Sequence, residues 1–126
     1  MKLSLVVCMA IVFTLAVGSL AAHHSPVLFD RSIKKTLVGT VVEFVWVNPH
    51  ASIQLDVVND SGATERWGVE MGSPNSLVKN GWKSTILKPG DKVTVVVNPL
   101  RSGEHGGIFQ SITLEDGRTL GGRPTD

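Results

Sequence analysis

The sequence predicts a small all-β domain with one short helix, arranged as a five-stranded barrel. Three observations favour this fold class: short runs of alternating apolar and polar residues, turn residues between the runs, and one helical signal after the third run. The chain has 126 residues, which suits a single domain with a small core. We expect the barrel at residues 37–120, an extended tail at 23–36 and a loose tail at 121–126.

Three strands are expected before the helix. They cover residues 36–47, Ser52–Val58 and 64–71. Pro49 ends the first strand, because proline donates no hydrogen bond to a strand ladder. An Asn-Asp-Ser-Gly turn at 59–62 joins the second strand to the third. The residues expected on the inward faces are Val42, Phe44, Trp46, Ile53, Leu55, Val57, Trp67, Val69 and Met71.

A short helix and two further strands complete the pattern. Ser73 as the N-cap and Pro74 at the first helical position begin a helix that we expect to end near Asn80, before Gly81. The side of the helical segment that faces the core should carry Leu77, Val78 and Trp82. The last strands are expected at Lys92–Pro99 and 108–114, joined by a glycine-rich loop at 101–107.

The order of three strands, a helix and two strands fits the five-stranded OB barrel. A generic β-sandwich is the alternative, but the single helix between the third and fourth strands favours the barrel.

The N-terminal residues have the pattern of a cleavable signal peptide at 1–22. A positive start at Lys2 precedes an apolar stretch at residues 3–20, and small residues follow it. Cleavage after Ala21 or after Ala22 would fit, and an uncleaved membrane anchor is the alternative, since about 18 apolar residues can span a bilayer. We expect a periplasmic or secreted protein without a stable membrane anchor after cleavage. The one cysteine, Cys8, would leave with the leader, so disulfides are not expected.

Several short motifs of this chain resemble a family of small exported bacterial proteins. The motifs are Ala22-His23-His24-Ser25, Phe29-Asp30, Gly39, Trp46-Val47-Asn48-Pro49-His50, Trp67-Gly68-Val69-Glu70, Ser73-Pro74, Gly81-Trp82 and Leu87-Lys88-Pro89-Gly90-Asp91. The family is known as domain of unknown function 6152, and the resemblance extends from Ala22 to Leu120. It implies an exported bacterial domain and carries no activity with it.

The four histidines of the chain are the candidate metal ligands. Imidazole is the commonest nitrogen ligand of copper, nickel and zinc in proteins. His23 and His24 follow the expected cleavage site, whereas His50 and His105 lie in loops that flank the binding face of an OB barrel. We therefore expect copper or another late divalent metal ion, with His23 and His24 as primary ligands and the other two as completing ligands.

The form of the N-terminal site depends on the first residue of the exported chain. If Ala22 is first, the amine, two deprotonated backbone amides and the His24 ring would make the square plane that suits Cu(II) or Ni(II). If His23 is first, its amine and ring would chelate copper. In a simpler interpretation none of the four histidines binds a metal. The histidine pair is then only a polar segment after the cleavage site, His50 is a hydrogen-bonding turn residue, and His105 is a solvated loop residue.

A second hypothesis needs no metal. Trp46, Glu70 and Glu104 would then form a surface that binds an envelope component, a small organic ligand or a protein partner through the barrel face. The competing structural interpretation places Trp46 and Trp67 on inward faces and Trp82 at one end of the barrel. Glu70 is expected to face outward and to pair with Arg66 at the surface.

Two function classes are disfavoured. After loss of Lys2 with the leader, the chain carries 11 basic and 11 acidic residues, which argues against a nucleic-acid binder. The sequence has no nucleophile elbow, no His-Glu-x-x-His helix and no phosphate-binding glycine loop, so an enzyme is not indicated.

Overall fold

The structure, a computed structural model, describes residues 28–122. The expected leader and the histidines His23 and His24 lie outside the described residues. The elements are β1 (Lys35–Val45), β2 (Ser52–Val58), β3 (Thr64–Glu70), α1 (Pro74–Val78), β4 (Lys92–Pro99), β5 (Gly106–Thr113) and β6 (Thr119–Gly121). No helix within residues 28–122 is long and apolar enough to cross a membrane.

Five of the strands close into a barrel. The sheet order is β3-β2-β1-β4-β5-β6, and an additional pairing joins β3 to β5. That closing pair is parallel and brings Gly68 opposite Gly106, whereas the other pairs are antiparallel. Closure through β3 and β5, with a helix between β3 and β4, confirms the predicted OB-like barrel.

A β-bulge in β1 changes which residues face inward. The register between β1 and β2 shifts between Val41 and Glu43, so Val42 is the extra residue. Val41 is buried, whereas Val42 is only half-buried. Phe44 and Trp46 pack against the core as expected. The prediction for Val42 was wrong because it assumed that side chains alternate strictly between the inward and outward faces, and the bulge interrupts this alternation.

The core is built by buried residues of β1 to β5 and of the helix. The residues of β2 and β3 that were predicted to face inward and are buried are Ile53, Leu55, Trp67 and Val69, and Val93, Val95 and Val97 of β4 are buried as well. Met71, which follows β3, is buried as well, and Val57 is partly buried. The alternation of apolar residues therefore predicted these faces correctly.

The helix is shorter than the sequence pattern suggested. The Ser73 side chain caps it by accepting a hydrogen bond from the Ser76 backbone N–H at 3.2 Å, as predicted. Leu77 is buried, but Val78 is 58% exposed. The prediction for Val78 was wrong because a helix of five residues makes little more than one turn and presents few side chains to the core.

The C-terminal part contains a strand that the sequence pattern did not reveal. β6 pairs with β5, with Ser111 opposite Gly121. The buried Trp82 holds β6 in place, because its Nε1–H donates to the Gly121 carbonyl at 2.9 Å. Trp82 also contacts the Phe109 ring edge-on, with the centroids 5.4 Å apart. β6 thus depends on a long-range contact with the segment after the helix.

Candidate functional site

The first described residues are attached to the barrel beside the β4–β5 loop. Phe29 bridges Leu100, and the Asp30 N–H donates to the Pro99 carbonyl at 2.8 Å. The Arg101 N–H donates to the Leu28 carbonyl at 2.9 Å. The point at which the N-terminal segment reaches the barrel is therefore defined by backbone pairing.

His50 lies in the loop between β1 and β2, directly after a cis Asn48–Pro49 peptide bond. Its Nδ1 is 3.1 Å from the carbonyl oxygen of Met71. Because a carbonyl only accepts hydrogen bonds, Nδ1 must carry the proton and donate it. The lone pair of the neutral ring is then on Nε2, which is the form that a metal ion requires.

Backbone hydrogen bonds hold this loop against the end of β3. The Ala51 N–H donates to the Gly72 carbonyl at 3.0 Å, and the Met71 N–H donates to the Ala51 carbonyl at 2.9 Å. Ala51 is fully buried. The backbone on either side of the His50–Met71 hydrogen bond is therefore well anchored.

A surface cleft of about 230 Å³ opens beside His50. Its polar and charged lining residues, which define what we call the His50 cleft, are Arg31, His50, Glu70 and Ser76. Met71 and Phe109 contribute apolar wall. The cleft therefore combines an imidazole, a carboxylate, a guanidinium and a hydroxyl, all in half-buried or exposed positions.

His105 lies in the loop between β4 and β5 and packs against the middle of β3. Its ring stacks on Trp67, with the centroids 5.2 Å apart and an interplanar angle of 24°. Its Nε2 lies 3.4 Å from Glu65 Oε2. Glu65 also accepts hydrogen bonds from Asn59 Nδ2 at 2.8 Å and from Trp67 Nε1 at 3.2 Å. Both hydrogen bonds lower the pKa of Glu65, and the one from Asn59 has the larger effect.

The structure does not bring His50 and His105 together. His50 contacts Met71, whereas His105 stacks on Trp67, and four residues of extended chain cover about 13 Å. Two nitrogens that share a metal ion each lie roughly 2 Å from it. Within residues 28–122, no group of three or more histidine, cysteine, aspartate or glutamate residues is arranged to hold a metal ion.

The remaining predicted binding residues are separated as well. Trp46 is half-buried and meets Phe44 edge-on, with the ring centroids 5.6 Å apart. Glu104 is exposed, and its backbone N–H donates to Ser102 Oγ at 3.3 Å. Glu70 alone of the three lines the His50 cleft.

The expected surface pair between Arg66 and Glu70 is replaced by another pair. Arg66 Nε donates to Asp56 Oδ1 at 2.6 Å, and a second bond of 3.3 Å joins Nη2 to Oδ2. Asp56 is directly opposite Arg66 in the β2–β3 register. The hydrogen bonds to Asp56 raise the pKa of Arg66. The prediction was wrong because a cross-strand neighbour is closer than a residue four positions along the same strand.

Arg31 and Ser76 are cleft residues that sequence reasoning missed. Arg31 belongs to the segment expected to be an extended tail, and Ser76 to the helix. Neither has a sequence signal that distinguishes it from other polar surface residues. Their position in the cleft follows from the docking of two separate segments at the end of β3.

Comparison with known proteins identifies the family of the chain. A model described as "Family of unknown function (DUF6152)" matches residues 11–110, which is most of the sequence. No curated protein and no solved structure matches. The family match agrees with the resemblance that the histidine pair and the Trp-x-Asn-Pro-His turn indicate. The chain therefore belongs to the DUF6152 family of unknown function.

Proposed function

We propose that this protein is an exported binding module that holds copper or another late divalent metal ion. His23 and His24 are its primary ligands, and His50 completes the site. The observation that carries the proposal is the hydrogen bond from His50 Nδ1 to the Met71 carbonyl. Histidines that bind metals usually donate their second ring nitrogen to a carbonyl or carboxylate, which fixes the ring orientation.

The attachment of the N-terminal segment supports the pairing of His24 with His50. Leu28 is four positions after His24, a span of about 13 Å when the chain is extended. Arg31, only three residues after Leu28, already lines the His50 cleft. The segment before Leu28 is therefore long enough to carry an imidazole to the same cleft.

His105 has a different role in this proposal. Its ring stacks on Trp67, and its Nε2 is close to Glu65. A metal ion bound at His50 would be too far away to recruit it. His105 therefore serves as the internal control for the metal experiment.

Export is the second part of the proposal and rests on the leader pattern at residues 1–22. The chemistry needs a free amine beside the histidine pair, which only cleavage supplies. Intact mass of the exported protein defines the first residue. Recovery of uncut precursor from the membrane fraction would contradict both the export and the amine-dependent site.

The metal site is tested by Cu(II) competition titrations on the full chain, exported and processed without a tag. We expect one tightly bound ion, and we expect His24→Ala and His50→Ala each to weaken binding roughly 10-fold or more. His105→Ala should bind as the unsubstituted protein does. Absence of binding, or equal affinity in all four proteins, would overturn the proposal.

If no metal binds, the metal-independent interpretation takes its place. The protein would then be an accessory module that binds an envelope component, a small organic ligand or a protein partner through the barrel face. Trp46 is the ring in the best position for such contact, since it is half-buried whereas Trp67 and Trp82 are buried. Intrinsic fluorescence that responds to an added ligand but not to Cu(II) would favour this alternative.

A further inference from the structure

We infer that two copies of this chain associate through the outer face of β1, β2 and β4, with Val38 and Val58 at the centre of the contact. This inference rests on surface residues within 28–122 and is independent of the proposed metal site.

The apolar centre of this face is the first argument. Val38 and Val58 are the most exposed large apolar side chains within residues 28–122, at 67% and 65%. Gly39 is opposite Val57, so the next pair in that antiparallel register is Val38 and Val58. The two exposed valines are therefore neighbours on adjacent strands. An apolar patch with a polar rim is typical of a contact between protein molecules.

Two grooves flank this pair of valines and supply the polar rim. Each has a volume of about 340 Å³, and Val38 and Val58 line both of them. Asp60 lines the first groove, and Lys92 lines the second. Both charged residues are exposed, and neither forms an ion pair within the described part of the chain. The face therefore has one unpaired carboxylate and one unpaired ammonium group, on opposite sides of its apolar centre.

The other charged groups of the two grooves already have internal partners. In the second groove, Asp56 is paired with Arg66. In the first groove, the Lys35 ammonium lies 4.9 Å from the centroid of the Trp67 ring and acts electrostatically on Glu65. These contacts leave the first groove with an excess of negative charge and the second with an excess of positive charge.

The placement of the two unpaired charges indicates a second copy as the partner. Lys92 is opposite Thr40, which is two residues after Val38 on β1. Asp60 is two residues after Val58, and because β2 runs antiparallel to β1 it lies in the opposite direction along the sheet. Consider a two-fold axis in the plane of the contact that passes through Val38, perpendicular to the line joining the two charges. It places Lys92 of each copy over Asp60 of the other, as a self-complementary contact requires.

Sedimentation velocity on the exported, processed full chain tests the association directly. We expect a monomer at low concentration and an increasing fraction of dimer toward roughly 1 mM, because a contact limited to three strands is small and small contacts are typical of weak complexes. A protein that remains monomeric up to this concentration would overturn the inference, regardless of how the variants behave.

Val38→Glu tests the apolar centre of the contact. We expect it to weaken the dimer roughly 10-fold or more, because it places two carboxylates close together at the two-fold axis. Val47→Glu is the matched control, since Val47 is 52% exposed, follows β1 and lines neither groove. If Val38→Glu has no effect, or if both variants weaken the dimer equally, the contact lies elsewhere and the inference is wrong.

An exchange of charges tests the pairing between copies. Lys92→Glu and Asp60→Lys should each weaken the dimer roughly 10-fold, because each places like charges opposite one another at two symmetric positions. The double variant restores opposite charges and should associate within about threefold of the unsubstituted protein. Since the two side chains line different grooves within one copy, such a recovery reports a contact between copies. Losses that simply add in the double variant would overturn the proposed pairing and with it the inference.

Discussion

At the scale of single residues, hydrogen bonds decide the state of the polar side chains at the two ends of β3. The Met71 carbonyl sets the His50 tautomer, and the Asn59 and Trp67 donors stabilise the ionised Glu65 side chain. Residue type indicated which side chains have useful chemistry. The partners that tune this chemistry come from other elements and have no signature in the sequence.

The lowered pKa of Glu65 predicts a contribution to stability that depends on pH. Its hydrogen bonds with Asn59 and Trp67 lower the pKa from the ordinary value of 4.5, and the electrostatic effects of His105 and Lys35 act in the same direction. A carboxylate with a lowered pKa stabilises the folded state above its unfolded value. That contribution disappears as the pH falls through the folded value.

We therefore expect Glu65→Gln to have a lower melting temperature than the unsubstituted protein near neutral pH. The difference should narrow as the pH decreases below 4.5. Circular dichroism melts over this range measure it, with the exposed Glu115→Gln as the control. Melting temperatures that remain parallel for the two proteins down to acid pH would contradict the assignment.

At the scale of elements, the strands with regular alternation were predictable and those with irregular geometry were not. β2 and β4 match the predicted ranges, because the period of two is uninterrupted in them. β1 contains a bulge, and β5 begins with two glycines that resemble a loop in sequence. Glycine is needed at positions 106 and 107 because residues of β4 and of the following loop lie too close for a side chain, and not because the chain turns there.

The glycines of the β3–β5 pair therefore differ in how much space surrounds them. A Cβ added to Gly107 would lie 2.8 Å from the Asn98 carbonyl oxygen and 2.8 Å from Val97 Cγ2. A Cβ added to Gly68 would meet only Gln54 Nε2, at 3.7 Å. The first contact involves backbone that cannot move independently, whereas the second is ordinary van der Waals contact.

Gly107→Ala should consequently destabilise the fold by about 1–3 kcal/mol, the usual cost of overpacking. Gly68→Ala should change the free energy of unfolding by no more than about 0.5 kcal/mol. Urea denaturation of both variants provides the comparison. Equal stability of the two variants would show that β5 approaches β4 less closely than described.

At the scale of the whole molecule, packing supplies the stability of the barrel. Residues 28–122 contain no cysteine, so no disulfide joins their strands. One continuous core cluster includes residues from β1 to β5 and from the helix. A substitution in that cluster should therefore affect the entire barrel.

Leu55→Ala tests this dependence, since Leu55 is fully buried. We expect a loss of about 2–5 kcal/mol in the free energy of unfolding, from lost burial and the cavity left behind. Val58→Ala in the same strand should cost no more than about 0.5 kcal/mol, because Val58 is 65% exposed. Similar losses in both variants, measured by thermal or chemical unfolding, would contradict the described inward face of β2.

The sequence by itself determined the fold class, the inward faces of the regular strands and the histidines that are candidate ligands. These properties depend on local order: alternation, turn residues, a capping serine and the identity of side chains. The tertiary structure decided that β3 pairs with β5, that His50 and His105 contact different parts of the β3 segment, and that Glu70 and Arg31 share a cleft with His50. Such contacts join residues that are far apart in the chain, and strand register and barrel closure create them rather than any local pattern.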